Sequence, residues 1–222
     1  MKTIVKLFIM IALPAMILPS CKYDPEADSS NPFLTDYNTP FNVPPFGKIM
    51  AAHYVPAFEK GMADARQELD KILNNKKATT FSNTIEAYDN MGKLLRDVTA
   101  VFVELCSSNT NDSLRKIEVE MTPRLAGFRD EVRLNPVLFQ RVRSVYENQE
   151  KLKLNAEQKF LLENLYREFV RNGANLSVTD QDTLRKINQR LSLLCVKFNQ
   201  NVLSETNSYR LYVDEKGLAG LP

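Results

Sequence analysis

The 222-residue sequence contains one histidine, His53, and that count limits the chemistry open to it. A zinc site of the His-Glu-x-x-His kind needs two imidazoles on one helix face, and metal centres take three or four protein ligands. With no second histidine, His53 beside Tyr54 reads as a helix-start or packing residue, not as a ligand or general base. No Ser-His-Asp set can be drawn around it. Cys106 and Cys195 each follow an apolar-face leucine, Leu105 and Leu194, and read as buried thiols behaving as small hydrophobes. A disulfide joining the second and sixth of the expected helices is the alternative, and free-thiol measurement separates the two. Neither has the histidine partner a thiol nucleophile wants. The acidic sets Glu59, Asp64, Glu68, Asp70 and Glu118, Glu120, Asp130, Glu131 fall between apolar positions, the pattern of solvated faces with local ion pairs. Seven glycines form neither a Gly-x-Gly-x-x-Gly fingerprint nor a phosphate loop, so the usual nucleotide cradles are absent.

Electrostatics narrows the partners. Lys and Arg total 29 against 27 Asp and Glu, and without Lys2 and Lys6, which sit in a leader, the balance is neutral. A neutral chain whose longest basic run is Lys76-Lys77 lacks the field that draws a protein onto nucleic acid. The 44% hydrophobic and 25% charged content is that of a folded globular chain.

The elements that must position these residues begin after a leader. Residues 1–20 carry two lysines, then an apolar run over 7–18 broken by Pro14, the signature of a secretory signal and too short for a span. Leu18-Pro19-Ser20-Cys21 resembles the bacterial lipobox, which predicts cleavage before Cys21, lipid attachment to its thiol and membrane anchoring in the bacterial cell envelope, on the periplasmic side or outer surface. Residues 22–46 hold five of the 11 prolines and exclude regular elements. Their first part reads as a polar tether. Phe33, Tyr37, Phe41 and Phe46 make the second part an arm lying along the domain.

From Ala51 to Asn207 the period is helical, and six helices are expected. The first, 51–74, carries Tyr54, Phe58, Met62, Ala65, Leu69 and Ile72, with Pro56 in its first turn. The second, through Leu105, opens with an Asn83–Glu86 capping box. The third, 112–134, contains Pro123 and should kink or split there. Asn135-Pro136 starts the fourth, through Glu150, and Asn155 with Gln158 starts the fifth, which Gly173 ends. Thr179 with Asp182 caps the sixth, whose stripe is Leu184, Ile187, Leu191, Leu194 and Phe198. Tyr209, Leu211 and Val213 then alternate with polar neighbours, the pattern of one orphan strand. The expected class is all-α, antiparallel helical hairpins or a bundle, with a signal at 1–20, tether and arm at 21–50, helical domain at 51–207 and a truncated strand and turn at 208–222.

The ordered motifs add a further reading. Asn31-Pro32-Phe33, Tyr37-Asn38-Thr39-Pro40-Phe41, Pro44-Pro45-Phe46, His53-Tyr54-Val55-Pro56-Ala57-Phe58-Glu59-Lys60-Gly61, Thr80-Phe81-Ser82-Asn83-Thr84-Ile85-Glu86, Phe198-Asn199-Gln200-Asn201-Val202-Leu203-Ser204-Glu205-Thr206 and Leu218-Ala219-Gly220-Leu221-Pro222 occur in that order. Together they resemble the N-terminal part of the thimet oligopeptidase and peptidyl-dipeptidase family of zinc metallopeptidases. None of these pieces is catalytic in the family. The resemblance implies that zinc belongs to the full-length family, on a His-Glu-x-x-His helix and a distal Glu that have no counterpart here, so no cofactor is expected in this chain. It implies helices forming one wall of a channel that admits oligopeptides, and a strand belonging to a larger assembly. The expected role is the channel-forming N-terminal region of a lipid-anchored oligopeptidase, inactive by itself, with a separate catalytic chain as a conceivable partner. A stand-alone helical lipoprotein that binds peptides or partners is the alternative.

Overall fold

The computed structural model describes residues 31–214, 217, 219 and 220. The leader, Cys21 and the polar tether therefore lie outside the described residues. Six long helices carry the fold: α1 (Ala51–Leu73), α2 (Lys93–Ser108), α3 (Asp112–Arg133), α4 (Pro136–Glu147), α5 (Ala156–Arg171) and α6 (Val178–Ser208). The all-α class follows, since no strand occurs among the described residues.

The arm enters the core before the first helix begins. Asn31, almost fully buried, accepts the Phe33 N–H on its Oδ1 at 3.1 Å and donates through Nδ2 to the His53 carbonyl at 2.9 Å. Pro32 supplies the preset φ of the following 3-10 turn, Pro32–Leu34, which drops Phe33 against Tyr54 with ring centroids 5.2 Å apart. The contrast within the arm is sharp: Phe33 is 4% exposed, Phe41 99%.

Helix α1 packs mainly on α2. Small residues allow the approach, because a Cβ on Gly61 would stand 3.0 Å from the Leu95 Cα and backbone nitrogen. Tyr54, Phe58 and Phe102 then form an edge-on aromatic cluster, with Tyr54 and Phe102 5.0 Å apart and Phe58 and Phe102 5.4 Å apart. Pro56 is the sixth residue of α1, not in its first turn, so the Ala52 carbonyl loses its helical donor and the helix nevertheless continues.

The second expected helix differs from the sequence expectation in two ways. Its capping box is formed by Thr80 and Asn83, one turn before the Asn83–Glu86 box expected from the sequence: Thr80 Oγ1 accepts the Asn83 N–H at 3.1 Å and Asn83 Oδ1 accepts the Thr80 N–H at 2.9 Å. A π-helical turn, Phe81–Glu86, runs into Ala87–Asp89 and then breaks. Gly92, at φ 73°, supplies the left-handed residue of the break, and its N–H is held by Glu68 Oε2 at 2.7 Å. The apolar period survives this interruption, which is why it reads as one helix in the sequence.

Helix α3 runs through Pro123 without splitting. Asn135 caps α4 by accepting from both Val137 and Leu138, with Pro136 at the first position. The Asn155–Gln158 box starts α5 with reciprocal bonds of 2.8 and 3.1 Å. Gly173 at φ 92° ends it, and the Gly173 and Ala174 N–H groups return to the Val170 and Phe169 carbonyls in a Schellman closure. The cap of α6 is Ser177, two residues before Thr179, because Ser177 takes the extended backbone and its hydroxyl accepts the Asp180 N–H.

The apolar stripe of α6 is exposed, with Ile187, Leu191, Leu194 and Phe198 between 53% and 67% accessible. Val196 on the opposite side is the residue that buries. Helix α6 lies against α3 by that opposite face, where Asn188 donates to Asp130 Oδ1 at 2.8 Å and Gln200 to Glu118 Oε2 at 2.9 Å. The orphan strand is corrected as well: residues 209–214 make no ladder, and Tyr209, Leu211 and Tyr212 are exposed on both sides of the alternation. An isolated period-two segment has no backbone partner to hold it as a strand.

Candidate functional site

Among the described residues, a groove of about 990 Å³ is walled by α1, α2, α3 and the C-terminal half of α6. Phe58, Phe102 and Met121 form its buried floor, while Val103 on α2 and Phe198 and Val202 on α6 stand exposed at its sides. Arg96, Glu104, Glu118 and Arg129 supply charge of both signs around it. Such a lining receives apolar side chains and orients a chain by a few polar groups.

The thiol in the groove wall is not activated. It belongs to Cys106, and burial first, then the Glu118 carboxylate, pushes the thiol up to about 11, so it stays protonated at neutral pH. Both Cys106 and Cys195 are free; Cys106 is half-buried and Cys195 exposed, which corrects the expectation of two buried thiols. Nearby, the Tyr54 hydroxyl is buried without a hydrogen-bond partner, and burial, followed by Cys106 and Tyr37, raises the phenol to about 12.

The motif residues fall into separate groups. Asn31, Pro32, Phe33, His53, Tyr54 and Phe58 meet where the arm joins α1, with Pro56 on the exposed side of the same helix. His53 is buried, and its Nδ1 accepts the Met50 N–H at 3.1 Å, closing the start of α1. Phe81, Asn83 and Thr84 form the second group. There Asn83 Nδ2 donates to the Ala78 carbonyl, and Asn83 Oδ1 also accepts from Thr84 and from Arg141. Phe198 reaches the groove, Asn201 is exposed on α6, and Gly220 is exposed at φ 93°. Cys21 is outside the described residues.

Two polar features escape the sequence patterns. Asp130, grouped with solvated carboxylates in the sequence, is 8% exposed and held by Asn188, and its second oxygen has no partner. Arg141 bridges the Asn75 carbonyl and Asn83 Oδ1 at 3.1 and 3.2 Å, tying α4 to the loop after α1. Other acidic residues behave as surface pairs: Glu59 meets Arg124 at 2.6 Å, and Glu131 meets Arg66 at 2.7 Å.

Among the described residues no three His, Cys, Asp or Glu side chains converge as a metal site, and no helix is long and apolar enough to cross a membrane. The residues present do not fit zinc, because the one imidazole is committed to the α1 start.

No family model matches the chain. Individual proteins do. It is 34% identical over 194 residues to the dipeptidyl carboxypeptidase of Salmonella typhimurium and 36% identical over 192 residues to that of Escherichia coli. Against oligopeptidase A of Escherichia coli it is 29% identical over 194 residues. These alignments take in 86–87% of the chain but 28% of each relative. The chain is thus related to the N-terminal part of the peptidyl-dipeptidases and oligopeptidases of the thimet oligopeptidase family of metallopeptidases.

Proposed function

We propose that this chain forms the N-terminal, channel-lining region of a peptide-hydrolysing enzyme and supplies shape, not reacting groups. The observation that carries the reading is the relatedness to peptidases across 87% of the chain. An apolar groove with a mixed-charge rim, and a thiol held protonated in its wall, support it. The role fits specificity by access: side chains of an extended oligopeptide lie against the walls, while the zinc-dependent cleavage belongs to sequence that these 222 residues do not include.

The full chain with added zinc should then leave a quenched oligopeptide uncut and bind no stoichiometric metal. Turnover that a chelator abolishes would overturn the reading.

We further propose that Cys21 carries lipid and holds the chain at the bacterial envelope, a reading supported by the Leu18-Pro19-Ser20-Cys21 sequence. Expression in a bacterium should yield a membrane-fraction protein whose N-terminal peptide has the mass of an acylated Cys21. Cys21→Ser should move it to the soluble fraction; an unmodified Cys21 in the wild-type protein rejects the anchor.

A further inference from the structure

The four charged residues that line the groove are sorted by sign along its length. Arg96 and Glu104 stand on α2, Glu118 and Arg129 on α3. Helix α3 runs parallel to α1, since Glu59 pairs with Arg124 and, two turns further along both helices, Arg66 pairs with Glu131. Helix α2 runs the other way, because Phe58 meets Phe102 whereas Gly61 meets Leu95. Arg96 and Arg129 therefore share one end of the groove, and Glu104 and Glu118 share the other. Glu118 acts on the Cys106 thiol near the end of α2, as this layout requires.

These charges are not spent on one another. Glu59 and Arg124, and Arg66 and Glu131, neutralise each other across α1 and α3. Among the described residues none of the four groove charges closes an ion pair. Arg96 donates to the Asp89 and Met91 carbonyls, and Glu118 accepts from Gln200, all neutral partners. At 1.5 Å per residue the opposite signs lie about 12 Å apart along α2 and about 16 Å apart along α3. A chain extended at about 3.4 Å per residue covers that span with about four or five residues.

The layout discriminates among occupants. A fatty acid or other single-headed amphiphile brings one charge and leaves one end of the groove facing apolar carbon. An uncharged apolar segment leaves both ends so. A short peptide with free termini brings one carboxylate and one ammonium, and its side chains can lie on the Phe58, Phe102 and Met121 floor. We propose that the groove binds oligopeptides of about four or five residues in one direction, the C-terminal carboxylate at Arg96 and Arg129 and the N-terminal ammonium at Glu104 and Glu118. The inference rests on the channel reading for the class of ligand and adds its length and direction.

The test is calorimetric titration of the full chain with the pentapeptide Ala-Leu-Phe-Leu-Ala in four forms: both termini free, N-acetylated, C-amidated, and blocked at both ends. The free form is expected to bind about tenfold or more tighter than the doubly blocked one, with the singly blocked forms between. Arg96→Gln with Arg129→Gln should weaken the free and acetylated forms and leave the two amidated forms unchanged. Glu104→Gln with Glu118→Gln should weaken the free and amidated forms and leave the two acetylated forms unchanged. All four side chains are exposed or half-buried, so both variants should keep the circular dichroism melt of the parent chain. The tripeptide Leu-Phe-Leu, too short to reach both ends, should gain nothing from its second free terminus; a gain as large as the pentapeptide's overturns the length. Equal binding of the four forms, or a variant that weakens all four alike, overturns the direction while leaving the groove a wall against which peptides lie. Binding of none overturns the inference as well, and the channel reading is then decided by the zinc and turnover measurement above.

Discussion

Asn31 Nδ2 donates to the His53 carbonyl at 2.9 Å, and this bond fastens the arm to the opening turn of α1 across 22 positions of sequence. The same side chain accepts the Phe33 N–H, so one buried amide both shapes the arm and attaches it. Asn31→Ala leaves the Phe33 N–H and a His53 carbonyl lone pair without these partners in a buried setting, at a cost of about 1–3 kcal/mol. A urea titration should show the midpoint lowered with little change in slope. An unchanged midpoint would mean that the arm adds nothing to the fold.

Gly61 presents two opposed effects. Alanine in a helix interior gains about 1 kcal/mol over glycine. Here its Cβ would meet the Leu95 Cα and backbone nitrogen at 3.0 Å, and backbone cannot swing aside as a side chain can. Overpacking of this kind costs about 1–3 kcal/mol, so Gly61→Ala should be net destabilising in a thermal melt. A rise in Tm contradicts the close approach of α1 and α2.

Tyr54 should tolerate loss of its hydroxyl. The oxygen is buried and unpartnered, so Tyr54→Phe is expected to be neutral or stabilising by up to about 1 kcal/mol. The pH dependence has a definite sign. Folding raises the phenol from 10.0 to about 12, so its contribution is complete below pH 10 and is lost as pH rises toward 12. Tyr54→Phe should therefore flatten the alkaline fall in stability, measured as urea midpoints between pH 9 and 11.5.

Cys106 and Cys195 should react at different rates. With its thiol near 11, Cys106 holds little thiolate at pH 7.5, and its alkylation by iodoacetamide should speed up about tenfold per pH unit. Cys195 is exposed and should label ahead of it, as peptide mass spectrometry can follow. Equal labelling of the two peptides at pH 7.5 would refute the protected state of Cys106. Its stability contribution runs the same way as that of Tyr54: present below about pH 9 and lost toward 11.

Local rules made much of this fold legible. Asn135-Pro136 and the Asn155–Gln158 box work within one turn, so sequence alone locates them. The stripes of α1 to α5 were readable because a core samples the same three-four spacing that the sequence displays. The break at Gly92 was not, since Met91 and Leu95 keep the apolar period on both sides and the bond that holds the break comes from Glu68, 24 residues away. Asp130 escaped for a similar reason. It follows Arg129 and precedes Glu131 as a surface residue would, and only the passage of Asn188 over it makes it interior. The α6 stripe is legible as apolar, but its exposure is not, because periodicity states which side chains share a face and not what lies against them. Groove formation depends on α6 crossing α3 at a sequence separation of about 80 residues, as the Gln200–Glu118 bond does, and no local pattern encodes that.

The burial of Asn31 and Phe33 also fixes a length. Nine residues lie between Cys21 and Asn31, ten steps along the chain, and a fully extended chain spans at most about 3.3–3.6 Å per residue. An acylated Cys21 would therefore act as a leash of no more than about 35 Å. An acylated chain would then sample only the thin layer of solvent next to the bilayer, and any peptide reaching the groove would have to be captured there.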